Sequence, residues 1–464
     1  MKKFFLLRYF GLFVIIAFCG CAKDGWFDVK YDKKVGVPTT VTELQAILDN
    51  GEVFNMYCPM AMETAADDHY LEEDQAMQLS GFERNSYIWI KDAPNIKVSD
   101  WIDLTRGSYR KVFAANLVIE GIEKISPRDE SERIKCKNVK GQALFFRAQA
   151  FYWLAQIFVP PYDEATFDKK LGIPLRLNSN VDEISIRSSV KETYAQIEKD
   201  LLDAVSLLPL IQNYKTRPSR SAAYAMLAKV YLTNRDYINA NKMANLALAG
   251  QDVLLDFSDL NFGPFSNPFE VYNKEIIFHS TMGGNAIFTF FNVRVKKEVY
   301  DMYQDGDLRK KAFFDYDIGT GTVTYKGTYA GSGYFSFFNG LACDELYLIR
   351  AECNVRTGNL SLALNDLNKL LRTRWDDSFN EIVVDDPEEA LRIIINERRK
   401  ELIFRGVRWS DLRRLNMDPR FASTLTRSLS GKTYTLEPNS YKYTLPIPDD
   451  IIQITGMEQN PGWE

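Results

Sequence analysis

Apolar residues recur at three- and four-residue steps along most of this chain, the spacing of helices that turn one face to a core. The clearest case is residues 141–158, GQALFFRAQAFYWLAQIF, with small Ala143, Ala148, Ala150 and Ala155 at close-packing positions. A helix so composed must be buried, and Pro160-Pro161 ends it. Ahead of it, helical spacing runs from Trp101 to Ile122 through Tyr109, Val112, Phe113 and Asn116. Ser188-Ser189-Val190 opens a further helix, which Pro209 follows. From Ser219 to Ala249 two short helices flank a turn at Asn234 to Asp236, and the unit recurs later. Setting Ala240 over Ala363 puts Ala228 over Ala351, Asp236 over Asn359 and Tyr237 over Leu360, with Gly358 in the second turn. This is the tetratricopeptide pattern of about 34 residues, whose hairpins bury their faces by stacking on neighbours. The prediction is a mostly α fold: a tetratricopeptide-like scaffold of helical hairpins with irregular, loop-rich insertions and a few short strands.

The stretch from Asp386 to Leu415, DPEEALRIIINERRKELIFRGVRWSDLRRL, is the best marked. Asp386 caps a helix, Pro387 suits its first position, and Glu388 and Glu389 meet the positive end of the dipole. Leu391, Ile394, Ile395 and Leu402 form one stripe, Gly406 stops the helix, and Ser410 or Asp411 starts the next. The crowded charges read as a corner clamped by carboxylate-guanidinium forks, Glu397 and Glu401 answering Arg408, Arg413 or a neighbouring helix.

Two stretches break the pattern. Residues 51–98 show no sustained period and carry Asp67-Asp68-His69-Tyr70 and Asn85-Ser86-Tyr87-Ile88-Trp89. Long irregular segments inside a compact domain are commonly functional. Sugars are held by stacking a C–H face on an aromatic ring while Asp, Asn and Arg take the hydroxyls, so Asp67, Asp68, Arg84, Asn85, Tyr87 and Trp89 form the candidate ligand set. The structural alternative has Tyr87 and Trp89 packing one face of a short strand, with Ile88 and Ile90 on the other. Residues 251–340 are rich in Gly, Phe, Tyr, Asn and Asp. There Phe288, Phe290, Phe291, Tyr325, Tyr329 and Tyr334 either recognise a ligand or cover the core.

Composition narrows the chemistry. The chain of 464 residues, 46% hydrophobic, is long enough for one large domain or several smaller ones, and its net charge of -5 does not invite nucleic acid. Only His69 and His279 exist, neither in a metal-ligand spacing, so neither a metal nor another cofactor is expected. No CxxC occurs; Cys343 and Cys353, on one helix, would stand about 15 Å apart, which leaves Cys58 to Cys136 as the one bridge open. At the start, MKKFFLLRYFGLFVIIAFCGC has the basic end and short apolar run of a secretory signal, with Cys21 as lipid acceptor behind small Gly20. Several acyl chains on one cysteine anchor a protein without spanning the membrane.

ERRKELIFRGVRWSDLRR resembles the signature near the C-terminus of the SusD/RagB family, nutrient-binding lipoproteins of Bacteroidota outer membranes, with Arg405 where that family usually has Glu. Arg147-Ala148 and the Pro161-Tyr162 turn resemble its RAxxY helix, residues 274–278 its KEIIF strand, and Ile447-Pro448 with residues 459–462 its closing IP turn and QNPG run. The resemblance implies a signal peptide at 1–20 and a lipidated Cys21. A part with ligand loops and helical repeats would follow at 21–250, a loop-rich insertion at 251–340, and a C-terminal part with a further repeat at 341–464. It implies outer-membrane anchoring facing outward, capture of a glycan or in some members a peptide, and hand-over to a SusC-like TonB-dependent transporter, with no catalysis. The rival of another class is a secreted glycoside hydrolase using paired carboxylates, which no motif places.

Overall fold

A computed structural model describes residues 38–91, 100–102, 106–263, 267–283, 288, 293–327, 329–331 and 336–463. Residues 40–464 form one compact unit. Its scaffold is a run of helices in which sequence neighbours pack on one another: Ser108–Glu123, Glu130–Phe158, Val190–Leu207, Arg220–Thr233, Tyr237–Gly250, Cys343–Arg356, Leu360–Leu371 and Pro387–Glu401. The central one is longer than its apolar run. Asp129 accepts from Glu132 N at 2.7 Å and starts it at Glu130, while every residue from Gly141 to Phe158 is buried. The helix expected from Trp101 begins only at Ser108, after Gly107.

The repeat register holds. Ala228, Ala240, Ala351 and Ala363 are all fully buried, and Asp236 and Asn359 are the N-caps of the second helices of their hairpins. Arg235 takes the left-handed turn conformation (φ 62°) at the position matching Gly358 (φ 85°). Inside the stack Arg147 and Asp200 form a two-pronged ion pair at 2.7 Å, and Arg147 also donates to Asn116 at 2.9 Å, joining three helices through buried charge.

Asp386 caps the helix Pro387–Glu401, as its sequence signals require. The next helix, Arg408–Leu415, starts before Ser410 because Asp411 is not a cap: its carboxylate takes Arg398 at 2.9 Å and Arg414 at 2.8 Å. The clamp is present, closed by Arg309 of the neighbouring helix Leu308–Phe313 rather than by Arg408 or Arg413. Glu397 and Glu401 bind Arg309 at 2.6 and 3.0 Å, Glu401 also binds Arg374 at 2.7 Å, and Arg405 pairs with buried Asp344.

Strands are short, and most of the described ones come from residues 276–342. A four-stranded antiparallel sheet has the order His69–Tyr70, Arg294–Val295, Thr322–Tyr325, Phe314–Asp317, while Thr281–Gly283 pairs with Ser336–Phe338. Phe288, Tyr325 and Tyr329 are buried and cover the core. Phe290, Phe291 and Tyr334 lie outside the described residues. The described cysteines Cys58, Cys136, Cys343 and Cys353 are free thiols, so no bridge joins Cys58 to Cys136. No helix among the described residues is long and apolar enough to cross a membrane. Cys21 and the leader lie outside the described residues.

Candidate functional site

The stretch read as irregular contains four short helices, Gly51–Phe54, Ala61–Ala65, Glu73–Met77 and Gly81–Ile88. Ser80 and Glu83 form a reciprocal cap, which makes residues 81–88 a helix rather than the strand considered above and buries both Tyr87 and Ile88. Trp89 follows in the left-handed region at φ 55°.

Most of the expected ligand set faces inward. Asp67 accepts from Arg408 at 2.7 and 3.0 Å and from Arg399 at 3.2 Å, and Asp68 from Arg399 at 2.8 Å. Burial pushes the Asp67 carboxyl up, but Arg408 and Arg399 outweigh it and hold the group far below the usual carboxylate range. Trp89 has no exposed surface, and its indole N–H donates to the Ala65 carbonyl at 3.0 Å. Arg427, from the strand Leu425–Leu429, lies over both rings, its guanidinium carbon 3.8 Å from the Tyr87 centroid and 4.7 Å from that of Trp89. It donates to the main-chain carbonyls of Thr64, Ala66 and Tyr87. Asp67, Asp68, Tyr87 and Trp89 therefore build a wall and offer no ring face to solvent. Asn85 is buried too, and Arg84 is half-buried on the same helix.

The exposed aromatic beside this wall is one the sequence did not mark. Tyr57, 40% exposed, lines a small cleft of about 180 Å³ with Phe82, Glu83, Asp100, Arg106 and Gly283. Its backbone is fixed by the strand Thr281–Gly283: Cys58 N donates to Thr281 O at 3.0 Å and Thr281 N to Asn55 O at 2.7 Å. Tyr57 itself sits at φ 53°, a conformation that tyrosine adopts only where its surroundings impose it. Gly283 allows the ring its place, since a Cβ there would fall 2.6 Å from Tyr57 Cδ1. The Arg106 guanidinium carbon stands 5.5 Å from the ring centroid. Asp100 accepts from Ala61 N at 2.8 Å at the start of the helix Ala61–Ala65, and burial pushes its carboxyl up to about 6. One ring flanked by a guanidinium and carboxylates is the equipment for stacking a sugar and holding its hydroxyls. Among the described residues no His, Cys, Asp and Glu cluster of three or more could hold a metal ion.

A stack of helical hairpins carrying a surface cleft with an aromatic floor defines a binding protein on a repeat scaffold. Comparison with known proteins gives the family. Residues 25–232 match a model described as starch-binding and associating with the outer membrane, and residues 344–463 match the SusD family model. The chain belongs to the SusD/RagB family. It is 25% identical over 425 residues to SusD-like protein P2 of Formosa agariphila, covering 77% of this chain and 79% of that one. Among solved structures it is similar to a SusD superfamily protein from Bacteroides vulgatus (22% identity, 92% of this chain and 100% of that one, TM-score 0.74). It is also similar to a laminarin-binding SusD-like protein (20% identity, 92% and 100%, TM-score 0.62). These likenesses confirm the mostly α fold expected above.

Proposed function

We propose that this protein is a nutrient-binding lipoprotein of the outer membrane, held by acylated Cys21 and facing outward. It captures oligosaccharides and passes them to a SusC-like TonB-dependent transporter. The observation that carries the reading is the Tyr57 cleft, where an exposed ring on a strained backbone shares the lining with a guanidinium and two carboxylates. Family membership and the laminarin-binding relative support a glycan as cargo. In this reading Tyr57 stacks on one sugar ring while Arg106 and Glu83 reach hydroxyls. Asp67, Asp68, Tyr87 and Trp89 serve the site from behind by fixing its wall, and Arg84 and Asn85 belong to the helix that forms one rim.

Hydrolysis is disfavoured although two carboxylates share the cleft. Glu83 Oε2 accepts from Ser80 N at 3.0 Å and Asp100 from Ala61 N, so each carboxylate is tied to a helix start, with the other Glu83 oxygen left for a hydroxyl. The test is calorimetric titration of soluble glycans and peptides against the wild type and Tyr57→Gly. Glycine takes a positive φ without strain, so the variant keeps the backbone while removing the ring. The expected result is glycan binding about tenfold or more weaker in the variant, with unchanged melting and no cleavage products. Peptide binding alone would change the cargo. Full glycan affinity in the variant would remove the cleft from the reading.

A further inference from the structure

A second cleft, of about 440 Å³, opens between the segment around Gln304, the loop from Trp375 to Ile382 and the flank of the helix Pro387–Glu401. Its size falls within the roughly 300–1,000 Å³ typical of small-molecule sites. Trp375 and Phe379 form its aromatic side, with ring centroids 6.0 Å apart and planes at 47°. Both are half-buried. Opposite chemistry surrounds them: Gln304, Asn380 and Asn396 are exposed amides, and those of Gln304 and Asn396 have no hydrogen-bond partner among the described residues. The Trp375 indole N–H is buried without an acceptor among those residues, whereas buried donors are normally paired.

The walls are fixed. Trp375 bridges Asp307, Asp376 N donates to Gly306 O at 3.0 Å, and Leu308 N to Arg374 O at 2.9 Å. At the far end of the loop Asn368 exchanges two hydrogen bonds with the Ile382 backbone, at 3.0 and 2.8 Å. Charge at the cleft is internally matched: Glu397 is held by Arg309 at 2.6 Å and Lys400 at 2.9 Å, and Lys400 also by Asp307 at 2.8 Å. Neither a cation nor an anion would find an uncompensated partner there. Two angled rings, free amides and no net charge fit a neutral, hydroxyl-rich ring.

We infer that this cleft is a second saccharide site, separate from the Tyr57 cleft, which takes a neutral sugar ring against Trp375 and Phe379 with its hydroxyls on Gln304, Asn380 and Asn396. The ligand class rests on the function proposed above.

The test uses the full chain with maltoheptaose and a laminarin-derived heptasaccharide, followed by calorimetry and tryptophan fluorescence. Variants are Tyr57→Gly, Trp375→Phe and the exposed Asn396→Ala, the last serving if Trp375→Phe melts early. Support is residual binding in Tyr57→Gly that weakens about tenfold in the double variant with Asn396→Ala or Trp375→Phe. Binding to the wild type that Tyr57→Gly abolishes, and that neither Trp375→Phe nor Asn396→Ala alters, overturns the second site and leaves the first standing. No binding of either sugar to the wild type overturns both.

Discussion

Truncating Trp89 would remove a ring enclosed on every side and stacked on Arg427, so Trp89→Ala is expected to cost about 3–5 kcal/mol in chemical denaturation. A variant of the exposed Tyr57 leaves melting in place, and comparing the two separates wall from platform. The Arg147–Asp200 pair gives the same contrast in charge. Asp200→Ala would leave a buried guanidinium without its carboxylate and is expected to lose about 3–5 kcal/mol. Surface pairs such as Lys199–Asp203, with both side chains about half or more exposed, would cost less than about 1 kcal/mol. At this scale the sequence picked out residues that the fold mostly buries. Acids, arginine and aromatic rings at 67–89 are the composition of a sugar site and equally of a buried cation-π cage, and what distinguishes them is Arg427, more than three hundred residues away. Tyr57 carried no signal because its exposure depends on pairing with residues 281–283.

Helical hairpins read more faithfully, because their spacing is local. The alignment of the two repeats placed both inter-helix turns, and the turns now make opposite demands. Gly358→Ala puts a Cβ into a left-handed residue and is expected to lose about 1 kcal/mol by urea titration. Arg235→Gly relieves the same strain while loosening the unfolded chain, and should fall near neutral. Caps were equally legible: Asp386, Ser189 and Ser219 all start helices where their side chains accept a main-chain N–H. Periodicity failed where helices are too short to show one. Residues 51–88 hold four of them, of four to eight residues, two with reciprocal caps at Glu72–Gln75 and Ser80–Glu83. The start of the helix at Arg408 was missed because Asp411 resembles a cap and serves instead as an anion between two arginines.

Across the whole molecule, the N-terminal wall and the C-terminal corner share one buried proton. Glu63 takes the Gly406 N–H at 2.7 Å, and burial, with Asp68 beside it, pushes its carboxyl up to about 8. Below its ordinary value near 4.5 both folded and unfolded states carry the proton. Between about 4.5 and 8 only the folded state does, so this contribution to stability falls as pH rises and levels off above that window. Stability curves of the wild type and Glu63→Gln are therefore expected to converge toward acid and diverge toward pH 8, the wild type becoming relatively weaker. A flat difference would place the ionisation elsewhere.

The reach of Arg427 also fixes an order of events. A chain that emerges amino end first exposes Tyr87 and Trp89 long before the arginine that lies over both rings and ties down the carbonyls of Thr64, Ala66 and Tyr87. Residues 61–89 must wait, unfinished, for the strand Leu425–Leu429, and loss of that distal segment would leave an early, greasy surface open to chaperones and proteases.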